Sequence, residues 1–268
     1  MTNTSIYIEA VGLCGPELEN WNSSQAKLRG ETLFNISPTV IPAPNLLPPA
    51  ERRRVGTAVK LALAVATDAL SNSPYKASNL LSVFSSSGGD GDNCHVICEA
   101  LASPDRLISP TRFTNSVHNA PSGYWGIAAH AQPASTSLCA FDASFSAGFL
   151  EASTQVLTAQ APVLFVAYDT PYPEPLHSKR PIAYSFGVAF VLSHTASENT
   201  LAKVSFKMGK NALTHMSHAS LESLRLGVPA ARSLPLLHAI ASKIASVGLS
   251  LDLFDNQQLL LDVQVINR

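Results

Sequence analysis

Charged residues are scarce in this 268-residue chain, and neither sign prevails. Only 14% of the residues are charged, against 46% that are hydrophobic, and the formal net charge is −1. This balance argues against the basic stripe that nucleic-acid binding requires. A chain with so few charges either buries one large core or hides part of its surface against a permanent partner.

Long apolar runs and a cysteine framework are missing as well. No run reaches the roughly eighteen apolar residues of a membrane-spanning helix, so no membrane span is expected. Residues 1–12 do not resemble a signal peptide, and the four cysteines lack the spacing of secreted disulfide frameworks. These absences predict a cytoplasmic protein with reduced thiols.

Most of the chain consists of short apolar runs, typical of strands, and of segments whose apolar residues recur at helical spacing. Strands are predicted at 5–13, 80–85, 134–140, 162–168, 182–192, 201–208 and 257–266, with 182–192 and 201–208 adjacent in the sheet. Helices are predicted at 21–28, 49–70, 92–101, from 121 onward, at 143–152 and at 231–247. The pattern indicates one α/β domain over residues 1–268, with helices on both faces of a mixed sheet.

Neither a metal site nor a phosphate-binding loop is expected. Cys94 and Cys98 share one face of a predicted helix, but His95 lies about 100° around it, and no second ligand pair is evident. Both thiols are therefore expected to be buried. The glycine-rich stretch 85–92 lacks the Lys-Ser/Thr pair of a phosphate loop, so it is interpreted as a strand-to-helix turn, and no cofactor is predicted.

The most informative segment covers residues 112–152. In it a short predicted strand turns sharply into a helix of small residues, and the turn reads Phe141-Asp142-Ala143. Enzymes with α/β folds place a nucleophile at such a turn, because the helix N-terminus offers N–H donors and a positive dipole end. Here a carboxylate occupies the turn, and the nearest thiol, Cys139, is expected inside the strand.

Several strings in a fixed order carry a family resemblance. They are SGGDGDNCH at 87–95, SPTRF at 109–113, SVHNAP at 116–121, the small-residue helix and PVLFVAY at 162–168. They resemble the N-terminal half of β-ketoacyl synthases of the thiolase superfamily, and most closely the chain length factors of bacterial aryl polyene biosynthesis. The resemblance covers residues 5–208. It implies a thiolase-like layered αβαβα fold with a complete N-terminal half and a shortened C-terminal half.

The resemblance places Asp142 where active ketosynthases have their cysteine, with Cys139 three residues too early. The family's His-Gly-Thr and Gly-His strings are missing, since neither His215 nor His218 is followed by glycine. Decarboxylative condensation needs a thiolate to carry the acyl chain and donors to stabilise an enolate. A carboxylate supplies neither. Asp142 is therefore expected to be a structural cap at the helix N-terminus of a degenerate, catalytically inactive site.

By the same resemblance, the chain is a non-catalytic chain length factor. It would form a heterodimer with a β-ketoacyl synthase, shape that partner's acyl tunnel, and meet an acyl carrier protein that brings the growing chain. Bulky residues near the tunnel would then set the polyene or polyketide length: Phe113, Tyr124, Trp125 and Phe141. The strand before the elbow would pair across the dimer axis, with an interface that includes Asn115, His118, Asn119, Ser135, Ser137 and Cys139.

Two alternatives remain open. An independent acyltransferase or thiolase-like enzyme would use Cys139 and would become acylated there, although a thiol buried in a strand is expected to react poorly. A purely structural scaffold would hold pathway enzymes together without touching the tunnel. In that case mutation of the interface aromatics would change assembly but never product length.

Overall fold

The computed structural model describes residues 5–254 and 256–266. Residues 1–4, 255 and 267–268 of the predicted 1–268 domain lie outside this range. The strands are β1 (Ser5–Cys14), β2 (Leu81–Ser85), β3 (Ser135–Leu138), β4 (Val163–Asp169), β5 (Phe186–Ser193), β6 (Ala202–Gly209), β7 (Val247–Phe254) and β8 (Gln257–Val265). The α-helices are α1 (Trp21–Leu28), α2 (Pro49–Arg52), α3 (Thr57–Ser71), α4 (Gly91–Ala102), α5 (Pro110–Thr114), α6 (Ala120–Ala129), α7 (Ser144–Ala159), α8 (Leu176–Lys179), α9 (Ala219–Gly227) and α10 (Leu234–Ala241). Short 3₁₀ helices occur at Ala77–Asn79, Phe141–Ala143 and Pro229–Ser233.

The described strands form one mixed sheet in the order β3-β2-β4-β5-β1-β6-β8-β7. β2 runs parallel to β3 and to β4. The remaining neighbours are antiparallel. Parallel neighbours need a crossover connection. The segment from α4 to α6 supplies one between β2 and β3, and α7 supplies the next before β4.

Helices cover both faces of this sheet. Side chains of β4 alternate between two apolar clusters, so that Phe165 packs with Phe145, Phe149 and Phe190, whereas Leu164 packs with residues of α3. The four phenylalanine rings contact one another with centroids 5.6–6.3 Å apart. Such clusters supply much of the energy of a core.

One helical layer is covered by strands on both sides. α7 contacts β2 and β4, and it also contacts β7, which lies at the opposite end of the sheet. α10 contacts both β7 and β8. The sheet therefore bends around this layer, as in the layered α/β architecture expected from the sequence.

Three predicted helices differ clearly from the observed ones, and one of them, predicted at 143–152, continues as α7 to Ala159. The predicted helix 49–70 is broken into α2 and α3, because Gly56 becomes the N-cap of α3 in an extended conformation. A Cβ at Gly56 would lie 2.4 Å from an Asp90 carboxylate oxygen, so the break accommodates a close approach of the neighbouring turn. The predicted helix 231–247 is wrong beyond Ala241, where the chain leaves the helix and enters the unpredicted strand β7.

The prediction that 182–192 and 201–208 are adjacent strands is also wrong. β1 lies between β5 and β6 and pairs with both. Strands that follow one another in sequence often pair, but here the N-terminal strand separates the two.

Helix α4 lies at the surface, contrary to the expectation of buried thiols. Cys94 and Cys98 are both exposed, and Asn93 is the buried residue of this helix. Its main contact with another helix or strand is with α5. Its N-cap is Asp90, whose carboxylate accepts from the N–H of Asn93 at 3.0 Å.

The crossing of α3 over β1 depends on the absence of a side chain at Gly12. A Cβ there would lie 2.0 Å from the carbonyl oxygen of Val65 and 2.5 Å from the backbone nitrogen of Ala69. We expect Gly12→Ala to destabilise the fold by about 3 kcal/mol. The new Cβ would clash with backbone atoms of α3, which cannot move away by a rotamer change as a side chain can. Urea unfolding checks this. Gly123→Ala is the matched control, since a Cβ at this helical position meets nothing within 4 Å. Equal stability of both variants would contradict the prediction.

Candidate functional site

The predicted strand-to-helix elbow is present between β3 and α7. Phe141 has a left-handed backbone with φ of 52°, a rare conformation for a bulky side chain. The Ser144 hydroxyl accepts from the N–H of Ala140 at 3.0 Å and donates to the carbonyl of Phe141 at 2.7 Å. A serine rather than a carboxylate therefore closes the turn. Among the described residues no side chain caps α7, so the predicted capping role of Asp142 is wrong.

Asp142 instead pairs with two arginines that come from distant parts of the chain. Arg180 donates to its Oδ1 at 2.9 Å, and Arg232 lies 3.8 Å from its Oδ2. Arg232 also forms an ion pair with Asp252 of β7. Only 19% of the Arg180 side chain and 15% of the Arg232 side chain are exposed. Such partly buried pairs are screened less than surface pairs.

Burial lowers the pKa of Arg232, and the nearby Asp142 opposes that change. The elbow thus holds two carboxylates and two guanidinium groups whose charges balance. Neither Arg180 nor Arg232 was predicted from the sequence, and the same holds for Asp252. Arg180 lies in a proline-rich loop, Arg232 precedes α10, and Asp252 belongs to the unpredicted strand β7.

An open cleft of about 620 Å³ lies beside this network. It is lined by Ala140, Phe141, Asp142, Ala143, Arg232, Asp252, Leu253 and Phe254. This set contains neither a thiol nor an imidazole. None of the described lining residues is therefore a cysteine that could carry a thioester or a histidine that could donate to an enolate.

The two histidines considered from the sequence lie elsewhere. His215 Nδ1 lies 2.9 Å from Glu222, whose carboxylate also binds Arg225. The Arg225 hydrogen bond is the main reason that the pKa of Glu222 falls to about 2. The ring of His218 packs edge-on against Phe34. Neither imidazole is among the residues that line the elbow cleft.

Cys139 is exposed, because β3 ends at Leu138 and this strand forms one end of the described sheet. The expectation of a thiol buried inside the strand is therefore wrong. Its sulfur donates to the carbonyl of Ser87 at 3.4 Å. A backbone carbonyl is too weak a base to remove the thiol proton, so this hydrogen bond does not convert Cys139 into a thiolate.

The buried carboxylate of Asp169, which was not predicted from the sequence, holds two segments beside the elbow. Asp169 accepts from the N–H of Ser87 at 2.8 Å, from the Ser86 hydroxyl at 3.2 Å and from the N–H of Ala230 at 2.8 Å. Burial raises the pKa of Asp169 to about 6, although the hydrogen bonds act in the opposite direction. The only available signal was an acidic residue at the end of an apolar run.

The predicted interface residues occupy different environments. Asn115 is buried, donating to the carbonyl of Arg54 at 2.8 Å and accepting from the Tyr124 hydroxyl at 3.0 Å. His118 Nε2 lies 3.2 Å from the carbonyl oxygen of Ser86. Asn119 is exposed just before α6. On the edge strand, the Ser135 hydroxyl bonds to Ser82 at 2.9 Å and the Ser137 hydroxyl donates to Ser122 at 3.3 Å.

The four predicted tunnel aromatics divide into two pairs. Tyr124 and Trp125 are buried in the apolar cluster beside α3. Phe113 is 68% exposed and Phe141 is 60% exposed. Two of the four aromatic residues are thus exposed at the surface and two are buried.

Half of the exposed large hydrophobic side chains belong to the chain segment that leads into the elbow. Fourteen large hydrophobic side chains are exposed among the described residues, and seven of them fall within residues 96–141. We call these seven the elbow-side apolar set: Val96, Leu101, Leu107, Phe113, Val117, Ile127 and Phe141.

The raised pKa of Asp169 predicts a dependence of stability on pH. Its folded-state pKa of about 6 exceeds the ordinary 3.8, so the folded state holds this proton more tightly than the unfolded state. The corresponding stabilisation is complete below pH 4 and is lost as the pH rises through 6, a change of about 3 kcal/mol. We expect the stability advantage of the parent over Asp169→Asn to shrink between pH 4 and pH 7 in urea titrations. An advantage that stays constant or grows over this range would contradict the prediction, and the exposed Asp105→Asn serves as the control.

Within the described residues, no helix is both long and apolar enough to cross a membrane. The same residues contain no group of three or more His, Cys, Asp or Glu side chains placed to hold a metal ion.

The fold is similar to those of several solved ketosynthase structures. A chain of the ketosynthase ApeO in complex with its chain length factor ApeC, from Xenorhabdus doucetiae, is 23% identical, with a TM-score of 0.71 over 96% of this chain and 98% of that one. A chain of the ishigamide ketosynthase/chain length factor is 13% identical, with a TM-score of 0.76 over 98% and 100%. A chain of AntDE:AntF, an acyl carrier protein in complex with its hexaketide-bound ketosynthase, is 10% identical, with a TM-score of 0.75 over 99% and 100%.

These likenesses confirm the thiolase-like fold expected from the sequence, in a shortened form of 268 residues. No curated protein matches the chain. The family model for the N-terminal domain of β-ketoacyl synthases matches residues 20–250. The chain therefore belongs to the β-ketoacyl synthase family.

Proposed function

We propose that this chain is a non-catalytic chain length factor that pairs with a ketosynthase and limits the length of its product. The observation that carries the proposal is Asp142, held between Arg180 and Arg232 at the turn where the family resemblance expects a nucleophilic cysteine. A carboxylate neutralised by two guanidinium groups has no spare charge or proton for acyl transfer. The two arginines are equally occupied and do not serve as free donors for an enolate.

The edge strand β3 supports a role in dimer formation. In the described sheet it pairs with β2 alone, so one row of its backbone N–H and C=O groups faces outward. Its sequence, Ser-Thr-Ser-Leu, carries no charge that would block pairing with another strand. The antiparallel addition of the equivalent partner strand would join the two sheets across a pseudo-two-fold axis.

The elbow-side apolar set supplies the second element of such an interface. Stable interfaces bury on the order of 800 Å² on each partner and have apolar centres. Phe113 on α5 and Phe141 at the elbow are its exposed aromatic members. Aromatic residues at an interface are the ones most often responsible for affinity.

Control of product length follows if one of these exposed rings reaches the partner's acyl tunnel. A ring at the tunnel end excludes a further chain extension sterically, and discrimination in an apolar pocket is about 1–3 kcal/mol per methylene. Phe113 is the better placed of the two, because its ring is the more exposed and Phe141 lies under a guanidinium group.

The first test is co-expression with a candidate ketosynthase, taken from the neighbouring gene, followed by intact-mass measurement after addition of malonyl- and acyl-loaded carrier protein. We expect a one-to-one complex in which only the ketosynthase gains acyl mass, because Asp142 rather than a cysteine occupies the turn of this chain. Acyl mass on this chain that is lost in Cys139→Ala would overturn the proposal and favour the independent enzyme. A stable complex whose products never change with the interface aromatics would favour the scaffold.

The second test concerns product length. We expect Phe113→Ala to lengthen the main product by at least one extension unit, because removing the ring opens the space that ends elongation. Chromatography and mass spectrometry of products from the reconstituted complex check this. The control is Met208→Ala, since Met208 is 57% exposed on β6, outside the elbow-side set. Unchanged products in both variants would contradict a gating role for Phe113.

A further inference from the structure

Phe141 is presented to solvent in a conformation that the chain does not adopt freely. Its ring is 60% exposed, and its φ of 52° lies in the left-handed region. For a residue with a Cβ that region is strained, because the Cβ comes too close to the following carbonyl oxygen. A local strain of this kind persists only when the surroundings hold it, and it often marks a functional position.

Arg180 is the group that holds this ring. Its guanidinium carbon lies 3.5 Å from the ring centroid of Phe141, a stacking distance at which the ring quadrupole attracts the cation. The same guanidinium donates to Asp142 Oδ1 at 2.9 Å. One side chain therefore contacts two consecutive residues of the elbow at once.

Arg180 is itself anchored by the fold. Its backbone N–H bonds to the carbonyl of Leu176 at 2.9 Å and so ends α8. Two residues later Ile182 is buried in the main apolar cluster, and the N–H of Ala183 bonds to the carbonyl of Gly227 at 3.1 Å. The guanidinium thus extends from a fixed backbone to the elbow, with 19% of the side chain exposed.

We infer that Arg180 is a positioning residue that pre-organises Phe141 as an anchor for the partner subunit. The inference rests on the proposed function, since the partner is the ketosynthase of that proposal. A ring fixed before association loses little side-chain freedom on binding, and this raises affinity without any new contact. Charge neutralisation of Asp142 does not by itself require stacking, because Arg232 is already beside that carboxylate.

The test is a double-mutant cycle on the purified complex. The variants are Arg180→Gln, Phe141→Ala and the double substitution. Each purified complex is diluted, and mass photometry measures the fraction that dissociates. A variant that fails to fold forms no complex and therefore does not enter the measurement. We expect Phe141→Ala to weaken the complex about 30-fold and Arg180→Gln about 10-fold. In the Phe141→Ala background, Arg180→Gln should change affinity less than about 2-fold, because its effect acts through the ring.

Arg180→Lys separates stacking from charge. Lysine keeps the positive charge beside Asp142 but lacks the planar guanidinium, so it is expected to weaken the complex nearly as much as glutamine does. Arg29→Gln, which removes a surface pair with Glu31, is the control and should leave affinity unchanged. Additive effects of the Arg180 and Phe141 substitutions, or parental affinity in Arg180→Lys, would overturn the inference.

The outcome is distinguishable from failure of the proposed function. If the parent chain forms no complex with the ketosynthase, the proposed function fails and the positioning role fails with it. If the parent complex forms and gates product length while the cycle shows no coupling, only the role of Arg180 is rejected.

Discussion

The geometry of the elbow depends on one buried carboxylate. Asp169, at the end of β4, binds the backbone of Ser87 on one side and of Ala230 on the other. The carbonyl of Ser87 in turn accepts from Cys139 at the end of the edge strand. Ala230 belongs to the 3₁₀ helix that carries Arg232. The positions of Cys139 and Arg232 therefore depend on the same buried group.

The charges at the elbow complete that arrangement. Asp142 forms an ion pair with Arg180 of the proline-rich loop, and Arg232 forms an ion pair with Asp252 of β7. Four segments that are far apart in sequence are thereby joined at one turn. A catalytic elbow must leave its nucleophile and donors free for substrate, whereas here every charged group already has a partner within the chain. The same residues that stabilise the fold thus occupy one another's charges, and this is consistent with the proposed role through shape and surface.

The sequence was sufficient for most elements whose signal is local. β1 and α1 were placed within one residue, because alternation, an N-cap and apolar spacing act over short distances. The elbow was also placed correctly, since its strand, turn and helix are contiguous. The arginines that surround Asp142 were not found, because they lie 38 and 90 residues further along the chain and carry no local pattern. Exposure was misjudged for the same reason, since apolar content alone does not show whether α4 meets a sheet.

The central position of β1 has a consequence for biosynthesis. This strand consists of residues 5–14, yet both of its neighbours lie beyond residue 185. At a synthesis rate of about 5–20 residues per second, both edges of this apolar strand would remain unpaired for roughly 10–35 s after it leaves the ribosome. The nascent strand is therefore exposed to wrong strand pairing throughout that interval.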